Sequence, residues 1–344
     1  MTEGGGAGAP APGASLRRGR ATGALEAGER VLFVDAKDRR NLVRLVAGGR
    51  FHSHAGVVEL DQLIGGPEGV EIRSAGGARF LVVRPTLADV VLGMPRGAQV
   101  VYPKDLGAIL LLADVFPGAR VLEAGVGSGA LSMALLRAGA DVVGYELRED
   151  FAATAGRNVA EALGPETSYR VELRDVYEGI GETALDAVVL DLPEPWQVVA
   201  HAARALAPGG VLVCYLPSIL QVATLRDELA ASPFGLAETV EVLQRSWHVA
   251  GRAVRPAHRM VGHTGFLTVA RLLGGTVPTS AARAQVEGGT NSSGVEDASG
   301  VEDALAPAPA SASASTEAWE PPSSADSSSR LAAAGENAGR QIAT

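Results

Sequence analysis

The stretch Arg120-Val-Leu-Glu-Ala-Gly-Val-Gly-Ser-Gly-Ala-Leu131 places a short apolar strand directly before a turn that contains three glycines. The backbone can approach a ligand closely at Gly125, Gly127 and Gly129, because a Cβ there would occupy the ligand's space or forbid the turn. A second apolar run follows and ends on Glu146, whose carboxylate can accept hydrogen bonds from both hydroxyls of a ribose. This arrangement predicts a nucleotide site at the end of the strand.

Outward from this stretch, strands and helices alternate along the chain from about Gln99 onward. The apolar periodicity predicts helices over 104–115, 129–138, 149–163, 196–206 and 218–231. Strands are predicted over 120–124, 142–146, 169–175, 185–191 and 211–216, and two more near 237–249 and 263–272. Alternation of this kind is typical of an α/β fold with a mostly parallel, doubly wound sheet covered by helices on both faces.

Three further segments differ in composition from this α/β region, which we assign to residues 96–275. Residues 27–95 contain short β-like runs separated by glycine pairs, a spacing that predicts a small N-terminal antiparallel β domain. Residues 1–26 and 276–344 have too few apolar side chains to offset the entropy of ordering. We therefore predict a disordered arm at one end and a disordered low-complexity tail at the other.

The net charge of −9 is unevenly distributed along the 344 residues. Nine acids and three arginines lie in residues 276–344, so most of the net negative charge belongs to the predicted tail. Residues 242–275 carry five arginines and no acid. This run predicts a local basic surface, suited to phosphates, on a protein that is acidic as a whole.

The single cysteine, Cys214, lies in an apolar run and excludes an internal disulfide framework. The chain contains no uninterrupted apolar run of about eighteen residues, the length that a membrane span needs. The arginines near the N-terminus are not followed by the apolar segment of a secretory signal. We expect a cytoplasmic protein without a membrane segment.

Acidic residues follow the predicted strands at the edge where parallel strands end together. Glu146, Asp175 and Asp191 come after three of the strands, and Glu123 lies inside the end of the strand before the glycine turn. Ligands of parallel sheets bind at these strand ends. We expect Glu146 to hold a ribose diol, and Asp175 to accept from an adenine amine with Val176 packed on the ring. Each acid alone is equally compatible with a helix cap or a surface carboxylate.

The pattern Gly125-x-Gly127-x-x-Ala130 matches a relaxed dinucleotide fingerprint, so both NAD and S-adenosylmethionine are candidate ligands. The additional glycine at 129 opens the turn for a bulky methionine-sulfonium ligand rather than a pyrophosphate. Glu123 is also placed better for an ammonium group than for a pyrophosphate dianion. The motif therefore favours S-adenosylmethionine.

The segment Asp191-Leu-Pro-Glu-Pro-Trp196 combines a carboxylate at a strand end with two prolines and an aromatic ring. Prolines lock φ and carry no N–H donor, so the segment predicts a rigid support for a flipped-out base whose exocyclic amine donates to Asp191. A strand-to-helix turn with Pro195 near the first helical position accounts for the same residues. Both interpretations stay open at this point.

Four segments, taken in order, resemble the tRNA adenine-N1 methyltransferases that act at position 58, and the actinobacterial members most of all. They are residues 95–105 with Tyr102-Pro-Lys-Asp105, residues 121–131, residues 191–196, and residues 255–267 with Gly262-His-Thr-Gly-Phe-Leu267. The resemblance extends over about residues 27–273. It implies a Rossmann-like class I methyltransferase domain behind a small N-terminal β domain, and a homotetramer. It also implies methyl transfer from S-adenosylmethionine to the T-loop of tRNA, giving 1-methyladenosine.

The resemblance further implies that Asp191 is the catalytic carboxylate and that Tyr102 helps to form the target-base pocket. Phe151 lies where some relatives place a polar residue against the cofactor adenosine. Together with the strand-end pattern, this predicts the cofactor-binding residues Glu123, Gly125, Gly127, Ser128, Gly129, Ala130, Leu131, Glu146, Phe151, Asp175, Val176 and Asp191.

The arginine-rich run and its aromatic residue are the expected tRNA contact, because arginines bind phosphates and aromatic rings stack on bases. A subunit interface or a solvated charged face is the alternative explanation for these arginines. Lys37, Arg39 and Arg40 are additional candidates for RNA. We expect no metal site, since the histidines at 52, 54, 248, 258 and 263 are irregularly spaced and methyl transfer requires no metal. The predicted tRNA-binding residues are Arg245, Trp247, His248, Arg252, Arg255 and Arg259.

Three other functions remain as alternatives. A methyltransferase for a small molecule or a protein would keep Glu146 and Asp175 but would not need the basic run. A dehydrogenase would bind NAD and would have no use for Asp191. A catalytically silent, tRNA-binding subunit is disfavoured because Asp191 and the glycine turn are both intact.

Overall fold

The computed structural model describes residues 23–97, 99–164, 167 and 169–275. All of them lie in the first of the chain's two compact units, Met1–Val277. The predicted arm, apart from residues 23–26, and the predicted tail 276–344 lie outside the described residues.

The N-terminal region is an antiparallel β domain, as its glycine-separated apolar runs predict. A four-stranded sheet forms its main layer, and a separate hairpin lies beside it. Three rings, Phe33, Phe51 and Phe80, contact one another in the core with centroids between 4.5 and 5.9 Å apart. The strands are β1 (Arg30–Asp35), β2 (Arg40–Arg44), β3 (Arg50–Ser53), β4 (Gly56–Glu59), β5 (Val70–Arg73) and β6 (Arg79–Val83), with the sheet order β2-β1-β6-β5 and the hairpin β3-β4.

This β domain begins and ends earlier in the chain than the predicted range 27–95. Leu25 is fully buried in its core, and the Leu25 N–H donates to the Gly66 carbonyl at 2.7 Å. Helix α1 (Leu87–Gly93) instead buries Val91 in the core of the second region. Leu25 is a single apolar residue in a Gly- and Ala-rich segment, so local composition does not reveal that it is ordered.

The second region alternates strands and helices from Pro103 onward. Its helices are α2 (Pro103–Leu112), α3 (Ala130–Arg137), α4 (Glu149–Leu163), α5 (Val199–Ala205) and α6 (Ile219–Ala230). Its strands are β7 (Arg120–Ala124), β8 (Asp141–Glu146), β9 (Arg170–Leu173), β10 (Leu185–Leu190), β11 (Leu206–Leu216), β12 (Phe234–Glu241), β13 (Trp247–Ala250), β14 (Ala253–Pro256) and β15 (Phe266–Leu272).

Seven of these strands form one sheet in the order β12-β15-β11-β10-β7-β8-β9. Neighbours from β11 to β9 pair in parallel, whereas β15 is antiparallel to both β11 and β12. The strand β10 is almost continuously buried because such a sheet is covered on both faces. The chain leaves β7 toward β8 and β9 and then crosses to β10, so the order reverses between β7 and β10. The predicted fold class is confirmed, and this reversal is where doubly wound sheets bind ligands.

Strand bounds near the glycine turn agree with the prediction, whereas two predicted elements are divided. The predicted helix 196–206 is a 3₁₀ turn, Pro195–Val198, followed by α5, and Leu206 already belongs to β11. The predicted strand 237–249 ends at Glu241, and β13 then pairs with β14 as a hairpin that turns at Gly251 with φ +55°. Within the described ranges, no helix combines the length and apolar character that crossing a membrane requires.

Candidate active site

A cavity of about 470 Å³ opens at the carboxyl ends of β7, β8, β9 and β10, where the strand order reverses. Its volume is in the range of sites that hold cofactors. It contains eleven of the twelve predicted cofactor residues and a further set that was not predicted from the sequence. The predicted residues in its wall are Glu123, Gly125, Gly127, Ser128, Ala130, Leu131, Glu146, Phe151, Asp175, Val176 and Asp191, and the further ones are Gln99, Val100, Val101, Val126, Tyr145, Leu147, Arg148, Arg174, Tyr177, Leu192 and Pro193.

The three glycines of the turn serve different purposes, although each has a positive φ. A Cβ on Gly125 would collide with the backbone carbonyl of Asp191, so this glycine lets β7 and β10 end side by side. Gly127 has φ +54°, and no atom of the described residues lies nearer than 4.0 Å to an added Cβ, which leaves its backbone open. Gly129 is the exception to the prediction: it is outside the cavity wall, and its Cβ would lie 3.2 Å from Ala155 of α4.

Glu146 ends β8 and is held by the glycine turn. One carboxylate oxygen accepts from the N–H of Gly127 at 2.9 Å, and the other accepts from the N–H of Arg148 at 3.0 Å. Each oxygen keeps a second lone pair. The carboxylate is therefore oriented by backbone and can still accept two hydroxyl donors from the cavity.

The far end of the cavity is formed by the turn after β9 and the start of α4. Asp175 accepts from the N–H of Tyr177 at 2.9 Å, and Val176 between them is buried. On the opposite side, the guanidinium of Arg148 lies 4.0 Å from the ring centroid of Phe151. A carboxylate edge, an apolar side chain and an aromatic ring together suit a purine.

Glu123 is buried at the base of the cavity, with 1% of its surface exposed. Burial raises the pKa of Glu123 to about 8, and the nearby Asp191 and Glu146 add to the rise. The carboxyl accepts a hydrogen bond of 2.6 Å from Ser132. Glu123 was predicted from the sequence, whereas Ser132, which is not part of the cavity wall, was not.

Asp191 follows β10 directly and shares the cavity with Glu123 and the glycine turn. Burial raises the pKa of Asp191 to about 7. Leu192 and Pro193 continue the wall next to the carboxylate, and their role as a support for a base stays a prediction. Trp196 is not part of the wall; it packs against the apolar cluster beneath the sheet, in the 3₁₀ turn that the alternative interpretation predicted.

Tyr102 precedes α2, and its backbone carbonyl accepts from the N–H groups of Asp105 and Leu106. Tyr102 does not belong to the cavity wall. Desolvation raises the pKa of Tyr215 to about 12, and Asp191 and Tyr102 add to the rise. The three side chains therefore lie in one electrostatic neighbourhood beside the cavity. Tyr215 is at the end of β11, and it was not predicted from the sequence.

A buried ion pair connects the two most family-specific motifs. Lys104 and Asp105 pair at 2.7 Å, and the hydroxyl of Thr264 lies 2.6 Å from the Lys104 ammonium and donates to Asp105 at 2.7 Å. The carbonyl of Thr264 accepts from the hydroxyl of Tyr215 at 2.8 Å. The start of α2 and the segment before β15 are thus tied together next to Tyr102.

The predicted tRNA-binding residues lie on and around the β13-β14 hairpin, and all are exposed. The register pairs His248 with Arg255 and Trp247 with Pro256. Directly paired residues share a face, so His248 and Arg255 lie on one face of the hairpin while Trp247 lies on the other. Exposed apolar side chains accompany the tryptophan on that second face: Trp247, Val249 and Val254, exposed by 59, 70 and 59%.

The five histidines considered for a metal do not come together. His263 bonds Glu241 and the Pro217 carbonyl, which raises its pKa, and His54 contacts Arg39 in the N-terminal domain. No group of three or more metal-ligating side chains is present within the described part of the chain.

Two observations test whether the cavity fits S-adenosylmethionine. The buried hydroxyl of Ser128 has no hydrogen-bond partner among the described residues, although such groups are normally paired. The open backbone at Gly127 and the acids Glu123 and Glu146 complete a surface for hydroxyl, ammonium and sulfonium groups. The residues present therefore fit this cofactor.

Comparison with known proteins agrees with this geometry. A family model described as the tRNA methyltransferase complex GCD14 subunit matches residues 79–254. A second model, described as TrmI-like N-terminal, matches residues 23–72 and therefore the small β domain.

Two curated relatives match most of the described region. The tRNA (adenine(58)-N(1))-methyltransferase TrmI of Thermus thermophilus is 43% identical over 246 residues, covering 70% of this chain and 96% of the relative. The tRNA (adenine(57)-N(1)/adenine(58)-N(1))-methyltransferase TrmI of Methanocaldococcus jannaschii is 35% identical, covering 70% of this chain and 94% of the relative.

Two solved structures share the fold. A SAM-dependent O-methyltransferase from Thermotoga maritima superposes with a TM-score of 0.71 at 33% identity, covering 74% of this chain and 97% of that protein. The tRNA (m1A58) methyltransferase TrmI from Aquifex aeolicus superposes with a TM-score of 0.66 at 31% identity, covering 73% and 100%. On the sequence identity and on the domain pair that the family models match, this chain belongs to the GCD14/TrmI family of tRNA methyltransferases.

Proposed function

We propose that the protein transfers a methyl group from S-adenosylmethionine to N1 of the adenine at position 58 in the T-loop of tRNA. The observation that carries this proposal is the position of Asp191, a half-buried carboxyl in the same cavity as the glycine turn and Glu146. The names of the Thermus and Aquifex relatives supply the substrate and the position. The name of the Methanocaldococcus relative gives position 57 as well as position 58.

Cofactor binding is assigned to the residues of the cavity. Glu146 would accept the ribose hydroxyls, and Asp175, Val176 and Phe151 would surround the adenine. The hydroxyl of Ser128 and the carboxyl of Glu123 would receive the amino-acid end. When it is bound, S-adenosylmethionine supplies an electrophilic methyl group on a positively charged sulfur.

Asp191 acts on the target base rather than as a general base. Adenine N1 has a lone pair and no proton, so no residue has to remove a proton before the attack. The carboxylate accepts a hydrogen bond from the N6 amine and stabilises the positive charge that appears on the purine. Since the charge forms only during the reaction, this contact favours the transition state over the bound substrate.

Tyr102 and Tyr215 are proposed to form the aromatic part of the base pocket. Tyr215 interacts electrostatically with both Asp191 and Tyr102, which supports this assignment. Their rings would receive an adenine that has left the stacked T-loop, which such enzymes must unstack to reach N1. The ion pair of Lys104 and Asp105 would hold this pocket in shape.

We assign different partners to the two faces of the β13-β14 hairpin. His248 and Arg255 on one face, with Arg252 at the turn, would bind tRNA phosphates. The opposite face, with Trp247, Val249 and Val254, would contact another copy of the chain in a homotetramer, because exposed apolar side chains of this kind typify interfaces. As a tRNA-modifying enzyme, the protein would act in the cytoplasm.

A methyltransferase that acts on a hydroxyl group is the second candidate, because the Thermotoga structure carries that description. Such an enzyme needs a base for the hydroxyl proton, and Asp191 with its raised pKa has that capacity.

Incubation with labelled S-adenosylmethionine and unmodified tRNA, followed by nucleoside analysis, separates these functions. We expect label in 1-methyladenosine, and a tRNA with guanosine at both positions 57 and 58 should remain unlabelled. Label in a 2′-O-methylated nucleoside, or none in tRNA, would refute the proposal.

A further inference from the structure

A line of buried hydrogen bonds runs from the base of the cavity into the core. Ser132 on α3 donates to one carboxyl oxygen of Glu123 at 2.6 Å, and the hydroxyl of Tyr169 lies 2.6 Å from the same Ser132 oxygen. When Glu123 is ionised, the single proton of the Ser132 hydroxyl is donated to the carboxylate, so the hydroxyl of Tyr169 is then the donor to Ser132. In that ionised state both hydroxyl donors of the line point toward Glu123.

The packing of the sheet makes room for this line of hydrogen bonds. Tyr169 precedes β9, and its hydroxyl would lie 2.9 Å from a Cβ on Gly144 of β8, so that glycine leaves room for the ring. Ser132 is fully buried, and neither Ser132 nor Tyr169 belongs to the cavity wall. Any effect of these two residues on a ligand in the cavity is therefore transmitted through Glu123.

Four side chains surround Glu123, and two of them are acids. Ser132 faces it from α3, Tyr169 from the approach to β9, Glu146 from the end of β8, and Asp191 from the end of β10. Burial and the two acids raise the pKa of Glu123 to about 8, so the carboxyl is protonated in the free protein at neutral pH. A cation that enters the cavity would stabilise the ionised carboxylate and so lower the pKa of Glu123.

We propose that Ser132 and Tyr169 are positioning residues that aim the Glu123 carboxyl at the α-ammonium group of the cofactor, and that this carboxyl loses its proton when the cofactor binds. The O–H bond of the carboxyl breaks, the proton leaves to the buffer, and the carboxylate pairs with the ammonium. The inference rests on the proposed function because it assumes a cofactor with an amino-acid end.

Proton release is measured by titration calorimetry with S-adenosylhomocysteine at pH 6.5, in buffers that differ in ionisation enthalpy. The wild-type protein should release about one proton per ligand. At pH values below the pKa of Glu123, its Kd should fall about tenfold for each unit by which the pH rises. Glu123→Gln should release none, while Asp191→Asn should still release it, which separates the two acids. A binding enthalpy independent of the buffer in the wild-type protein would overturn the inference.

The positioning role is measured with two ligands, S-adenosylhomocysteine and 5′-methylthioadenosine, which lacks the amino-acid end. Ser132→Ala and Tyr169→Phe should weaken the first about tenfold and leave the second unchanged, because they disturb only the carboxyl that meets the ammonium. Ser232→Ala is the matched control, since its hydroxyl bonds Leu229 at the end of α6.

The outcomes distinguish the inference from the function it rests on. A wild-type protein that binds neither ligand refutes the cofactor proposal and the inference with it. A wild-type protein that binds both ligands, with Ser132→Ala and Tyr169→Phe weakening both equally or neither, refutes the inference alone.

Discussion

Asp191 has two properties that a surface carboxylate lacks. Its backbone carbonyl packs against Gly125, and burial raises its pKa to about 7. The position is set by the sheet, and the pKa follows from the desolvation that this position causes. At the scale of single residues, the chemistry of the site thus depends on how two strands end side by side.

Asp191→Asn should lower kcat by a factor of about 10²–10³, because an amide keeps the hydrogen-bond acceptor but not the charge that stabilises the purine cation. The affinity for S-adenosylhomocysteine should change little. Steady-state kinetics with tRNA and calorimetry measure the two effects. Asp186→Asn, at the opposite end of β10, is the control and should keep its turnover; equal losses in both variants would contradict the assignment.

The pKa of Asp191 also determines the pH dependence that we expect for the reaction. Its pKa is raised to about 7, so the carboxylate predominates only above that pH and is lost as the pH falls. The kcat/KM for tRNA should therefore rise between about pH 6 and pH 8 and then level off. A pH profile that is flat over this interval, or that falls with increasing pH, would show that the ionised carboxylate is not required.

Gly125→Ala should unfold at a lower denaturant concentration, with a loss of stability on the order of 2 kcal/mol or more. The residue has φ +86°, and an added Cβ meets the carbonyl of Asp191. Gly156→Ala in α4, where nothing lies within 4 Å, is the matched control. That variant should gain up to about 1 kcal/mol from helix propensity, so the two substitutions should differ in sign.

At the scale of elements, the ion pair of Lys104 and Asp105 joins α2 to the segment before β15. Thr264→Val should lower kcat several-fold without changing the cofactor Kd, because the base pocket loosens while the glycine turn is untouched. It should also cost about 1–3 kcal/mol of stability, since a buried charged pair loses a partner. Thr268→Val removes a buried hydroxyl that pairs with Thr239 at 2.9 Å, and should cost stability alone.

The hairpin of β13 and β14 gives a second prediction at this scale. Arg255→Ala should reduce the slope of log K against log salt for tRNA by about 0.7–0.9 and leave the assembly unchanged. Val249→Asp, on the opposite face, should lower the sedimentation mass of the assembly. If both variants change the same property, the two faces do not have the separate partners that we propose.

At the scale of the whole molecule, residues 23–275 contain both family-model matches and every side chain assigned to the site. A chain of residues 23–275 should therefore keep the Tm, the cofactor affinity and the tRNA turnover of the full protein within about twofold. Thermal unfolding, calorimetry and the nucleoside assay check this. A large loss of turnover with an unchanged Tm would show that one of the removed ends contributes to tRNA binding.

Much of the architecture was predictable because the relevant patterns are local. Alternating apolar strands and amphipathic helices give the sheet, and polar residues that follow parallel strands necessarily meet at one edge. This is why Glu123, Glu146, Asp175 and Asp191 were identified without any structure. The division of the predicted strand 237–249 was missed because residues 242–246, which separate β12 from β13, contain no glycine or proline that would mark a break.

Contacts between distant segments were not predictable in the same way. Thr264 and Asp105 are 159 positions apart, and Ser132 and Tyr169 are 37 apart, with no periodicity that relates them. Leu25 likewise packs into the apolar core of the β domain with residues that follow it at a distance in the chain.

The amino-acid sequence by itself determined the fold class, the strand that carries the glycine turn and the acids at the cavity, since each follows from the order of residues along short segments. Only the tertiary structure decided that burial raises the pKa of Glu123 and Asp191, and which hydroxyls and cations surround the acids. The reason is that burial and long-range hydrogen bonds arise from the packing of whole elements, which a single chain segment does not encode.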